Sequence, residues 1–427
     1  MFRGCDPQGK NLIDPESEFI TNLGTDLGQD VRDNLAIVSI FKDIKGPLIL
    51  WAALRVVFSL AANYYSRTQI ITQPQYQPFR NWFERTMLYP WLHWDAAWYM
   101  RIVSNGYQMT DGTAQFHPLY PWLAAVLSHF GLHPLFALIL ISSLSCIFLI
   151  IAFGKLSQLD FDNHEANKGL LILLAFPIAF IFFAPYSEAL FILLSVLCIY
   201  SARRGLWWQA GIAGGLAALT RQQGIFLIVP VLWELWEASQ KNLSLFFSGW
   251  KKILGTSLIP CGFFAWIVFR MIWLSDVRPD FSSLHKLIYS TLISPSARQV
   301  VPSQSFIWPW KALWLGLLKL TTDMDVDITV NFIFAFFFIF LIILSWPNQR
   351  TSYRLYTLIT IIVSFSYYTG QTHPYMGLLR HLELAFPVFL GIGKAIKSRF
   401  TFWSLTIFGF LSQFFFLFLY ITEVWVP

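Results

Sequence analysis

Apolar runs long enough to cross a bilayer recur from residue 46 to residue 422, and this recurrence limits the possible folds more than any other feature of the chain. A helix needs roughly 17–25 mostly apolar residues to span the hydrocarbon core. About eleven segments qualify or come close: 46–65, 133–153, 169–184, 187–202, 206–220, 223–238, 253–274, 328–346, 354–369, 382–394 and 401–422. Several are short for a span. Only 13% of the 427 residues are charged, whereas 56% are hydrophobic; soluble domains carry about 25% charged residues. The prediction is an all-α polytopic membrane protein. One helical domain can use residues 46–427, behind a polar, Gly/Asp-rich cytoplasmic tail over 1–45.

Basic residues set the expected topology. The segment 117–130, "HPLYPWLAAVLSHF", is short and opens with two prolines, so it reads as a juxtamembrane or half-inserted helix. With the N-terminus inside, one face then receives Lys42, Lys45, Lys155, Lys168, Arg203, Arg204, Lys241, Lys251, Lys252, Arg350, Arg354, Lys394, Lys397 and Arg399. Positive charge concentrates in cytoplasmic loops. The net charge of +6 therefore needs no nucleic-acid partner. The other face receives the loops 66–132 and 275–327 and the junctions 185–188, 220–224 and 370–381. The four cysteines lack CxxC spacing and read as reduced packing residues.

Four polar clusters fall together on that outer face. They are "HWDAAWY" (93–99), "APYSEAL" (184–190), "LTRQQG" (219–224) and "YMGLLRHLE" (375–383). A helix is predicted over 91–104, with Trp91, Trp94 and Trp98 on one stripe and Asp95 beside Tyr99 on the neighbouring face. "NGY" ends it through a glycine turn. One reading is an aromatic belt with a solvated acid. The other is a carboxylate base walled by aromatic rings that stack on a sugar or line a lipid path. His117 follows in "FHPLYP". Glu188 opens a span, where the helix dipole favours an acid. Arg221 closes an otherwise uncharged, small-residue span, against the charge trend; its guanidinium is shaped to hold a phosphate. Arg380 and His381 raise the same possibility. Arg55, inside the first apolar run, requires a buried acid or carbonyl.

Two further stretches read as structural. "WPWKALWLGLLKL" (308–320) is amphipathic and suits the membrane interface. The acids of "DMDVD" (323–327) are expected in solvent and lack the Gly and Glu of a calcium loop. There is no P-loop, GxGxxG or HExxH, so no metal or other cofactor is expected.

The ordered set "WDAAWYMRIVSNGY", "FHPLYP", "YSEALF" and "LTRQQG" resembles the GPI mannosyltransferase 2 (PIG-V) family and its prokaryotic relatives, over roughly residues 46–395. That family lies in the GT-C superfamily of polytopic glycosyltransferases. The resemblance implies about eleven membrane helices, with juxtamembrane helices in an acid-bearing first outer loop. It implies a sugar donor on a polyprenyl or dolichyl-type phosphate and a lipid- or glycan-type acceptor on the non-cytoplasmic face of a bacterial inner membrane or ER-type membrane. Asp95 matches the family's acid, Tyr186-Ser187-Glu188 its Tyr-Ser-Glu, and Arg221 with Gly224 its Arg-x-x-Gly turn. The chain departs at Trp98, where eukaryotic members carry His, at Phe116-His117-Pro118 in place of Phe-Phe-Pro, and at Gln222-Gln223 in place of Ser-Asn. These departures bear on the acceptor, so a GPI precursor is not implied.

The expected activity is inverting hexosyl transfer, with mannose the first choice of sugar and Asp95 as general base. Trp94, Trp98, Tyr99, His117, Tyr186, Glu188, Arg221 and Arg380 are expected to contact substrate. The alternative is a multi-pass transporter or lipid flippase. Transporters place polar groups at the midplane in broken helices, with inverted repeats. Here the clusters gather at one face and the two halves show no repeat.

Overall fold

The computed structural model describes residues 45–67, 81–108, 111–292, 304–322 and 326–424. The 1–44 part of the expected tail, Cys5 included, and Asp323 and Asp325 of the acidic loop lie outside them. The chain divides into the units Met1–Gly46 and Pro47–Pro427. Among the described residues, the second unit is helical apart from one two-residue antiparallel ladder that pairs Ser305 with Tyr368 and Phe306 with Tyr367.

Among the described residues, five helices are long and apolar enough to cross a membrane: Lys45–Ser66, Pro134–Ser157, Trp250–Ile272, Val326–Asn348 and Arg399–Ile421. They show apolar faces outward. Ile333, Phe336, Phe340 and Ile343 form one such stripe, and Trp403, Ile407, Leu411 and Phe418 another. Patches of this extent are stable against lipid and a liability in water. The molecule is a multi-pass membrane protein.

The other six predicted spans differ from uniform crossing helices. The Glu188–Arg203, Trp207–Thr220 and Thr351–Ser366 helices have 16, 14 and 16 residues. At 1.5 Å per residue they reach roughly 21–24 Å, short of a core about 30 Å thick. Segments 169–184 and 382–394 are broken by Pro177 and Pro387, which cannot continue a helical hydrogen-bond ladder. The first becomes the Asn163–Leu174 helix followed by a 3-10 turn at Ala179–Phe183. The second becomes the Leu378–Glu383 and Pro387–Ala395 helices. Segment 223–238 divides into the 3-10 helix Gln222–Leu227 and the helix Ile228–Ala238.

Broken backbone at membrane depth must be satisfied by protein. At the Pro177 break, the buried Gln413 amide donates to the Leu174 and Phe176 carbonyls at 2.7 and 3.0 Å. The small-residue helix Trp207–Thr220 packs closely on Trp250–Ile272, as its composition predicts. A Cβ on Gly211 would lie 1.9 Å from the Gly255 carbonyl, and one on Gly262 would lie 2.3 Å from that of Gly215. Arg55 takes the carbonyl option: it donates to the Phe183 oxygen and lies over the Trp91 ring.

At the far end of the Glu188–Arg203 helix, Arg203 grips Asp160 through both nitrogens, at 2.6 and 3.0 Å. Tyr353 donates to the same carboxylate at 2.8 Å. Arg350 joins Glu237 at 2.7 Å, and Ser352 donates to Glu234. This network ties four segments together and leaves the opposite end of the bundle to the site. Asp327 corrects the expectation of a solvated acid. It is buried, with Asn331 donating at 3.0 Å and His373 Nδ1 at 3.1 Å. The Pro309–Thr322 helix turns Trp310 and Trp314 outward, in keeping with an interfacial face.

Candidate active site

The first correction concerns the opening of the site. Residues 91–104 do not form one helix. A 3-10 turn ends at Trp91, and the helix runs Asp95–Asn105, ending before Gly106 at φ +74° as predicted. Trp94 stands between them at φ +52°, ψ −123°. That combination suits the second residue of a mirror-type turn, where glycine is favoured. The turn closes with Ala96 N donating to the His93 carbonyl at 3.1 Å. The tryptophan stripe is therefore split: Trp91 is buried in the core, while Trp94 and Trp98 face a cavity. Asp95 becomes the first helical residue, where the exposed backbone N–H groups favour negative charge.

The cavity has a volume of about 250 Å³. Trp94, Asp95, Trp98, Tyr99, His117, Arg221 and Arg380 all line it, drawn from four separate parts of the chain. Trp98 stacks on Phe116 with centroids 5.9 Å apart, forming one wall. Tyr99 packs edge-on against Phe116 and Tyr120, and its hydroxyl donates to Ser187 at 3.0 Å. Burial pushes the Tyr99 phenol upward, so it stays protonated.

Tyr186 and Glu188 lie behind the lining. Glu188 is fully buried at the start of its helix. Its Oε1 meets Arg221 Nη1 at 2.6 Å and lies 3.3 Å from Arg380 Nε. Arg380 Nη1 also pairs with Asp95 Oδ2. Arg221 makes a further bond to Ser187 at 3.2 Å. Two carboxylates and two guanidiniums thus balance one another, the condition for holding such charges out of water. Burial works against the Arg380 charge, but the adjacent Asp95 and Glu188 carboxylates outweigh it and hold Arg380 firmly protonated. The Tyr186 hydroxyl accepts from the Asp95 backbone N–H at 3.3 Å, and its ring lies under the Arg380 guanidinium.

His117 bonds through Nδ1 to the Ala218 carbonyl at 2.7 Å. A carbonyl only accepts, so Nδ1 carries the proton and Nε2 keeps its lone pair. Burial pushes the His117 pKa down to about 3. His381 has the opposite tautomer, because the Gln223 amide donates to its Nδ1 at 3.2 Å. Burial and the nearby Arg221 and Arg380 charges hold it well below the usual histidine range.

The rest of the lining is rich in amides, of which the sequence marked Gln222 and Gln223 alone. Gln115, Gln222, Gln223, Gln304 and Thr369 all face the cavity. Gln222 and Gln223 stand where the family motif differs, which was a usable signal. Gln304 had none: the short ladder at Ser305–Phe306 carries it in, and it donates to the Tyr367 hydroxyl. The arrangement can bind a hydroxyl-rich ligand against aromatic faces and amides, present it to one carboxylate, and hold an anion on two guanidiniums.

Comparison with known proteins bears out the family resemblance over the first part of the chain. Residues 48–242 match the family model described as mannosyltransferase (PIG-V). GPI mannosyltransferase 2 of Yarrowia lipolytica is 32% identical over 126 residues, 29% of this chain and 35% of that protein. The match thus spans about a third of the relative's length. A crystal structure of ArnT from Cupriavidus metallidurans bound to undecaprenyl phosphate aligns over 85% of this chain and 62% of ArnT, at 15% identity and a TM-score of 0.48.

Proposed function

We propose that this chain, whose residues 48–242 match the PIG-V mannosyltransferase family, transfers mannose from a polyprenyl-phosphate carrier to an acceptor hydroxyl, with inversion, on the non-cytoplasmic face of its membrane. The observation that carries the reading is the joining of Asp95, Arg221 and Arg380 in one aromatic-walled cavity. Asp95 takes the proton of the acceptor hydroxyl as that oxygen attacks the anomeric carbon. The transition state is oxocarbenium-like, as in other glycosyl transfers. The anomeric carbon–phosphate bond breaks, and polyprenyl phosphate leaves with the electron pair. A phosphate leaving group needs no proton, so one carboxylate suffices. Its charge is met by Arg221 and Arg380, which glycosidase chemistry would not require.

The resting Asp95–Arg380 pair has a role in this scheme. A carboxylate held by a guanidinium is a weaker base than a free one. The donor phosphate competes for Arg380 and releases Asp95 when both substrates are in place. Tyr186 and Glu188 act from behind the lining, by orienting Asp95 and the two arginines. The name of the Yarrowia relative supports mannose as the sugar. A GT-C-type arrangement with the N-terminus cytoplasmic follows from the motif order and the basic loops.

The test is transfer from labelled dolichyl- and undecaprenyl-phosphate mannose to lipid acceptors by the purified full chain, wild type against Asp95→Asn. The expected result is loss of transfer with normal expression and donor binding. Near-normal turnover by the variant would sink the assignment of the base.

A further inference from the structure

The turn that sets Asp95 is held from outside the motifs. Trp94 occupies a backbone region that L-residues enter only when their surroundings enforce it, and such residues concentrate at functional sites. The enforcing contacts come from the end of the last helix, Arg399–Ile421. Tyr420 is fully buried beneath the turn. Its hydroxyl lies 2.9 Å from the Trp91 carbonyl and 3.3 Å from the His93 carbonyl. These carbonyls flank the point where the 3-10 turn stops and the reversal begins. The backbone oxygen of Tyr420 accepts from the Trp94 indole at 3.4 Å. Its ring packs against Tyr186, whose hydroxyl meets the Asp95 N–H. Three residues on, Glu423 meets His93 Nδ1 at 3.0 Å.

We infer that Tyr420 is a positioning residue for Asp95: it holds the strained 91–94 turn in register and thereby fixes the direction of the carboxylate. Tyr420 lies outside residues 48–242, and its hydroxyl bonds to the turn backbone. One hydroxyl proton shared between the Trp91 and His93 carbonyls specifies backbone position more tightly than packing alone. Without it, Trp94 is free to relax to negative φ, which rotates the first turn of the Asp95–Asn105 helix. Misplacing a catalytic group by about 1 Å costs on the order of a hundredfold in rate. The inference rests on Asp95 being the base of the proposed reaction.

The experiment compares Tyr420→Phe, Tyr420→Leu, Asp95→Asn and wild type as purified full chains. It measures the stoichiometry and affinity of labelled polyprenyl-phosphate mannose binding, and the turnover to acceptor. Tyr420→Phe keeps the ring packing and removes one hydroxyl. The expected result is unchanged donor stoichiometry and affinity, with turnover down about tenfold or more. Tyr420→Leu should be slower still. Wild-type turnover in Tyr420→Phe overturns the inference. So does a fall in donor stoichiometry proportional to the fall in turnover, since that marks lost folded protein. Near-normal turnover in Asp95→Asn overturns the base assignment instead, whatever the tyrosine variants do.

Discussion

Asp95 and Arg380, 285 residues apart in the chain, meet as an ion pair at the wall of one cavity. Arg380 simultaneously approaches Glu188, which also holds Arg221. Asp95, Arg380, Glu188 and Arg221 thus form one connected unit, so changes to any member should be felt by the others.

Arg380→Gln removes the charge and leaves Asp95 without its partner. Loss of one charged stabiliser of a leaving group costs about a hundredfold or more in turnover. Breaking this part-buried pair also lowers stability, by about 1–3 kcal/mol. Arg380→Lys should recover part of the stability and less of the turnover, because a point charge cannot reproduce the guanidinium fork. Steady-state kinetics and thermal unfolding of both variants check this; equal turnover in Lys and Gln variants would contradict it.

Gly224→Ala should misplace the arginine turn. The new Cβ would lie 2.3–2.5 Å from backbone atoms of Ala217 and Ala218, which cannot swing aside. Overpacking of this kind costs about 1–3 kcal/mol. The expected outcome is a lower unfolding temperature together with weakened donor binding through Arg221, measured on detergent-solubilised protein.

His117 makes stability depend on pH. Its folded pKa of about 3 lies below the ordinary value of 6.5. The unfolded chain therefore binds the proton first as pH falls. The stabilisation is complete above pH 6.5 and is lost progressively as pH falls toward 3, by up to about 1.4 kcal/mol per pH unit. His117→Gln can still donate to the Ala218 carbonyl and does not titrate. Its unfolding temperature should fall less steeply across that window than that of wild type.

Gln413→Leu should destabilise the fold without touching the chemistry. It takes the Gln413 donor from the Leu174 carbonyl at the Pro177 break, while the Phe176 carbonyl keeps the Ala179 N–H at 2.8 Å. A buried carbonyl left unpaired costs roughly 1–3 kcal/mol. Thermal unfolding should register the loss, and turnover per folded molecule should stay at the wild-type level.

The amino-acid sequence by itself determined that the chain is helical and membrane-embedded, because burial in lipid demands apolar runs and internally paired backbone. It also marked polar clusters that the fold brings together. Seven of the nine expected site residues line one cavity, since carboxylates and guanidiniums stand out in so apolar a chain. Even the glycine stop after Asn105 was legible, as a local backbone requirement. The tertiary structure alone decided what depends on distant segments meeting. It put Glu188 and Tyr186 behind the cavity wall and carried Gln304 to it on a two-residue ladder. It paired Asp95 with Arg380 and buried Asp327. The reversal at Trp94 belongs here too. Residue type argues against a tryptophan at positive φ, and the contacts that Tyr420 makes with this turn reach across 326–329 residues of chain.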